Sequence, residues 1–137
     1  MMPKDFRVLI IEPSEDVQKQ LSSFFEEKKC QVITVADGDQ GLKEFQNKPF
    51  HIVFSHVDQA DTDDLAFLTE IKKMRGDTFV IMTATEKNLT NVLMSRSQGA
   101  YDYLFKPLSD LKKIQYIYSQ SLVYFSRWEK IVAEIKK

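Results

Sequence analysis

Val8-Leu9-Ile10-Ile11 is the stretch that most narrows what this chain can become: four aliphatic residues in a row with nothing polar between them. A strand that faces water on one side alternates, so an unbroken run belongs to a strand covered on both faces, the habit of a parallel sheet held between helices. In such a sheet ligands gather outside the carboxyl ends of the strands. The residues standing there are Glu12, Pro13 and Ser14: one carboxylate, a proline, then a hydroxyl.

The rest of the chain alternates in the same way. Ser14 is placed to cap a helix with Glu15 and Asp16 in its first turn and Val17, Leu21, Phe24 and Phe25 on its apolar face, ending near Lys28. Gln31 to Val35 is rich in β-branched residues and reads as a second strand, with Cys30 packed at its start as a small hydrophobe. Asp37-Gly38 leads into a helix carrying Leu42 and Phe45, closed before Pro49. His51-Ile52-Val53-Phe54-Ser55 forms the third strand, and the acidic loop from Asp58 to Asp64 opens a helix with Leu65, Leu68, Ile71 and Met74 on one face. Thr78 to Met82 predicts a fourth strand ending in Thr83-Ala84. Leu89, Val92 and Leu93 mark a short helix with Thr90, Asn91 and Ser95 outward and Gln98-Gly99 as its C-cap. Tyr101 to Phe105 makes the fifth strand, Lys106-Pro107 ends it, and a helical pattern runs from about Ser109 to the C-terminus. Five strand–helix pairs with short loops require right-handed crossovers and a doubly wound parallel α/β sheet. The expected layout is a single domain over 1–137, with a core of about 6–120 and a helical extension of about 121–137.

Charge and cysteine content narrow the chemistry. A net charge of -1 offers no basic excess for phosphate backbones or anionic lipid, so neither nucleic acid nor membrane is expected as a partner. The lone Cys30 allows no internal disulfide, and no apolar run is long enough to span a bilayer, so a cytoplasmic protein is expected.

Within Gly99-Ala100-Tyr101-Asp102-Tyr103-Leu104-Phe105-Lys106-Pro107, and in Thr83-Ala84, the chain resembles the receiver domain of two-component response regulators, over about Phe6 to Gln120. That family carries an acidic pair after strand one, a phosphate-accepting aspartate at the end of strand three, Thr or Ser then Ala after strand four, and an aromatic residue ahead of Lys-Pro at strand five. The resemblance implies a flavodoxin-like (βα)5 sheet of order 2-1-3-4-5, a cis bond before Pro107, and Tyr103 at the aromatic switch position. Two motifs depart from the family. The acidic pair falls on Glu12 and Pro13, and the third strand, aligned from Pro49 to Phe54, puts Ser55 on the acceptor aspartate. Serine cannot form an acyl phosphate, and Mg²⁺ usually keeps one or two protein carboxylates beside phosphate oxygens. Phosphoryl transfer rests on positioning and charge neutralisation, so the expectation is a pseudo-receiver with no catalytic residue, metal or cofactor, in which Lys106 pairs with Glu12.

Other candidates have plainer readings. His51 and His56 lack metal-ligand spacing, and His56 is expected in the loop. Asp58 as a displaced acceptor, and Asp58, Asp61, Asp63 and Asp64 as a cation site, are weaker than Asp61 or Asp63 capping the third helix. A flavin-binding flavodoxin is set aside because the acidic turn after strand one would repel phosphate.

The last helix carries a row at alternating three- and four-residue steps: Leu111, Ile114, Tyr118, Ser121, Phe125, Trp128, Val132 and Ile135, with Ile117, Tyr124 and Ile131 beside it. Such a row is a pairing seam. Tyr124, Phe125, Trp128, Val132 and Ile135 are therefore the candidate interface, for an unidentified signalling protein or a second copy in a homodimer. The function read from these features is a phosphorylation-independent, non-enzymatic signal-transduction module that binds proteins. The alternatives are a phosphorylatable receiver with an unorthodox acceptor, or a structural dimerisation scaffold.

Overall fold

The computed structural model describes residues 5–57, 63–109 and 111–136. Its elements are β1 (Arg7–Ile11), α1 (Glu15–Glu27), β2 (Gln31–Val35), α2 (Gly38–Asn47), β3 (Ile52–His56), α3 (Asp63–Met74), β4 (Phe79–Ala84), a single 3₁₀ turn (Glu86–Asn88), α4 (Leu89–Ser97), β5 (Asp102–Phe105) and α5 (Leu111–Ile135). The five strands are parallel and lie in the order β2-β1-β3-β4-β5. Boundaries differ from the sequence reading by about one residue: Thr78 precedes β4 and donates its hydroxyl to the Phe50 carbonyl, and Tyr101 precedes β5. His56 closes β3 and is not a loop residue.

β1 is covered on both sides, and its residues divide by parity. Val8 and Ile10 face one core with Leu21 and Phe25 of α1 and Ile114, Ile117 and Phe125 of α5. Leu9 and Ile11 face the other, built on Phe45 of α2, Leu68 and Ile71 of α3 and Val92 of α4. Burial of these apolar side chains, worth roughly 25 cal/mol per Å², is what holds helices to both faces. α2 lies so close that a Cβ on Gly41 would sit 2.5 Å from Ile11 Cδ1, a clash that explains the glycine. Caps follow the sequence: Ser14 Oγ accepts the Val17 N–H and Asp37 Oδ1 the Gln40 N–H. Gly99, just past α4, takes φ 107°, a left-handed conformation natural to glycine at a helix end.

Two expectations about helix faces are corrected. On α4, Leu89 and Leu93 are exposed, whereas Ser95 is buried and donates its hydroxyl to the Val92 carbonyl. The Ser95 hydroxyl is satisfied by its own helix and so can be buried, and Val92 alone of the three aliphatic residues reaches the core. On α5, Leu111 is exposed, and Phe125 is 8% exposed, enclosed by Phe6, His51 and Phe79. Ser121, within the row, is fully buried and donates its hydroxyl to the Tyr118 carbonyl.

His51 belongs to this aromatic group. Its ring stacks on Phe6 at 4.5 Å and meets the edge of Phe125 at 4.7 Å, while Nδ1 accepts the Arg7 N–H at 3.0 Å. Burial, then the nearby Arg7 and Arg75 charges, hold its pKa down at about 4, against 6.5 normally. The folded protein therefore resists a proton that the unfolded chain takes up, so His51's stabilising effect is intact above pH 6.5 and is lost as pH falls through 4. His51→Asn keeps an acceptor for Arg7 but does not titrate. It should be less stable than the parent at neutral pH, and urea denaturation should find the gap between them shrinking across that acidic window.

Candidate functional site

Four strand ends converge at the carboxyl edge of the sheet. Glu12 follows β1, His56 ends β3, Thr83 lies one residue from the end of β4, and Lys106 follows β5. Because side chains alternate along a strand, each shares a face with the residue two before it. Those residues are Ile10, Phe54, Ile81 and Leu104, all in the core on the α1/α5 side. The backbone fixes the ends, with the Glu12 N–H on the Val35 carbonyl, Val57 N–H on Thr83 and Lys106 N–H on Ala84.

The four side chains form one polar cluster. Lys106 Nζ lies 2.5 Å from Glu12 Oε1 and 2.7 Å from His56 Nδ1. His56 Nδ1 is 3.7 Å from the same carboxylate oxygen, and Thr83 donates its hydroxyl to it at 3.4 Å. Glu12 Oε2 accepts the Ser14 N–H at 2.9 Å, and the Glu12 carbonyl accepts the Gln18 side-chain amide at 2.5 Å. The carboxylate is only 1% exposed and Lys106 14%. A charge so enclosed persists because its partner and its hydrogen bonds replace the water it has lost.

The sequence-derived site is thus partly assembled and partly corrected. Glu12 and Lys106 pair as expected. Thr83 joins them through its hydroxyl on Glu12. Ser55 does not join: it is buried, but it shares parity with Val53, which packs in the core on the α2/α3 side, so it faces away from the cluster. The side chain opposite Lys106 at the end of β3 is His56, which sequence reasoning missed. Pro13 is exposed and contributes no ligand. The donor set does not suit Mg²⁺, since the single carboxylate is already occupied by an ammonium and a backbone N–H. Among the described residues no group of three or more His, Cys, Asp or Glu could hold a metal. Asp58 and Asp61 lie outside the described residues, so the readings placed on them do as well.

Tyr103 stands apart from the cluster. Its ring is exposed, packs on Phe105 at 4.9 Å and carries Lys113 Nζ over its face at 3.7 Å. Lys113 also pairs with Asp102 at 3.3 Å, so α5 clamps the ring to the outer surface of β5. A groove of about 250 Å³ between α4 and β5 is lined by Leu89, Leu93, Tyr101 and Tyr103 among others. Of the candidate interface on α5, Phe125 is withdrawn into the core and Tyr124 is half-buried on Phe79, while Trp128, Val132 and Ile135 are exposed.

Comparison with known proteins places this edge of the sheet in context. The sequence model described as the response regulator receiver domain matches residues 8–118. The chain belongs to that family. It is 28% identical over 109 residues to the probable C4-dicarboxylate response regulator DctR of Bacillus subtilis, covering 78% of this chain and 48% of that protein. It is 31% identical over 118 residues to a two-component response regulator of Oryza sativa, covering 85% of this chain and 17% of the other. The chain therefore spans less than half of these relatives. Among solved structures, NtrX of Brucella abortus superposes with a TM-score of 0.77 at 22% identity, over 94% of this chain and 29% of that one. A receiver domain from Clostridium thermocellum gives 0.78 at 19% identity, over 90% and 98%. At such identities these structures establish the flavodoxin-like receiver fold.

Truncating one member of a buried pair costs about 3–5 kcal/mol. Glu12→Gln, which strands the Lys106 ammonium, should fall in that range by chemical denaturation. Lys113→Ala should leave stability nearly unchanged but free the Tyr103 ring, seen as averaged aromatic shifts by NMR.

Proposed function

We propose that this receiver domain signals by binding other proteins without passing through an aspartyl phosphate. Receiver domains of response regulators act in signalling pathways through protein interaction, and the proposal concerns how this one is controlled. The observation that carries it is the Glu12–Lys106–His56 cluster. In the family pattern the lysine after strand five meets the acceptor aspartate at the end of strand three. Here that lysine meets an imidazole, with its charge already neutralised by Glu12. A histidine forms no acyl phosphate, and with Pro13 in place of a second acid there is little to assemble the ion that phosphoryl transfer relies on. The charge balance that phosphorylation would alter in an ordinary receiver is closed internally.

The same reading assigns no catalytic role to any residue of the cluster. Output rests instead on exposed surfaces, among them the end of α5 with exposed Trp128, Val132 and Ile135, and a homodimer through that helix is the proposed assembly.

Incubation with acetyl phosphate and Mg²⁺ should leave the intact mass unchanged, and beryllofluoride should not shift the amide spectrum. A stable adduct of phosphate mass on the native chain would favour an unorthodox acceptor and sink the proposal. Because His56, not Ser55, faces Lys106, the double variant Pro13→Asp/His56→Asp is the one expected to gain a phosphate; Ser55→Asp should not.

A further inference from the structure

We infer that the last turns of α5 pair antiparallel with the same segment of a second copy, held by Arg127 of each copy against Glu134 of the other. This deepens the homodimer reading and rests on it, but uses no residue of the Glu12 cluster.

The inference starts from where the core stops. Along α5 the inward face is Ile114, Ile117, Tyr118, Ser121 and Phe125, all buried. From Trp128 to Lys136 every residue is exposed, although the helix continues to Ile135 and its apolar face with it. Phe125 is spent on the domain's own core, so the free stripe is not the sequence row through Phe125 and Val132. It is centred on Trp128, Ile131 and Ile135, at steps of three and four, with half-buried Tyr124 at its upper end. Trp128 is 50% exposed, Ile131 38% and Ile135 77%, so the stripe is open along its length and most open at its end.

The residues beside the stripe choose the partner and its direction. With Trp128 and Ile135 at a positions and Ile131 at d, Arg127 and Glu134 both fall at g, on one flank. In a parallel, in-register pair, the g residue of one helix meets the following e residue of the other. Arg127 would then face uncharged Val132, and Trp128 would be forced against its own copy. In an antiparallel pair a faces d and g faces g. Trp128 packs on the second copy's Ile131, Ile135 on its Tyr124, and each Arg127 meets a Glu134, giving two symmetric ion pairs. An isologous contact of this kind closes on itself and cannot propagate. Among the described residues Arg127 and Glu134 make no ion pair within their own chain, so both charges are available. The segment projects beyond the sheet, leaving the two domains at opposite ends of the paired helices.

The test is sedimentation equilibrium of the full 137-residue chain at micromolar concentrations, with charge reversals at the exposed flank. Arg127→Glu and Glu134→Arg should each raise the dimer dissociation constant about tenfold, since each turns two attractions into two repulsions. The double variant should recover native affinity. Circular dichroism should be unchanged in all three, because neither side chain is packed. A native chain that is monomeric overturns the homodimer and the register together. A native dimer that the single reversals do not weaken, or that the double variant fails to restore, overturns the antiparallel register and leaves the homodimer standing.

Discussion

The constraint on which the carboxyl edge of the sheet depends is the enclosure of one negative charge. Glu12 follows a strand that is covered on both faces, and the turn into α1 closes over it, so its carboxylate loses nearly all contact with water. An isolated ion there would cost several kcal/mol or give up its charge. Lys106 prevents both. It reaches inward because its backbone N–H is tied to Ala84 while Pro107 turns the chain away, and the pair then draws His56 and Thr83 into a common network. Four crossovers separate Glu12 from Lys106 in sequence, yet their positions are set by strand register, which leaves little freedom in the geometry.

Much of this was legible from residue order. Unbroken apolar runs bounded by caps and turns gave the five strands, and the alternation with amphipathic stretches gave the parallel sheet and both helical layers. The 2-1-3-4-5 order and the Glu12–Lys106 pair came from the family resemblance, which brings both residues to that edge and leaves the lysine needing a counter-charge. What could not be read was the parity of β3. In a strand buried on both faces, Ile52, Val53 and Phe54 are equally apolar, so alternation leaves no trace, and the first polar residue after them, Ser55, looked like the site. A shift of one residue moves a side chain to the opposite face. Ser55 is small enough to be buried, and it is the larger, more polar His56 that had to find the cluster.

The last helix forms as expected, but which part of its row is covered could not be read, for a related reason. Its apolar row is continuous from Leu111 to Ile135, but the surroundings are not. The row starts exposed at Leu111, runs under the sheet from Ile114 to Phe125, and emerges again at Trp128. Spacing reports which side chains share a face and says nothing about what covers it. α4 shows the converse, with two leucines outward and a serine inward, because a hydroxyl satisfied by its own carbonyl is inexpensive to bury.

Glu12 does more than balance a lysine. Its side chain receives the Ser14 N–H and its carbonyl receives the Gln18 amide, so the residue that anchors the charge cluster also moors the opening of α1. The Ser14 cap and the entry angle of that helix are consequently tied to the placement of a single residue. Anything that weakens its hold on Lys106 reaches the first turn of α1 through two hydrogen bonds, without any movement of the sheet between them.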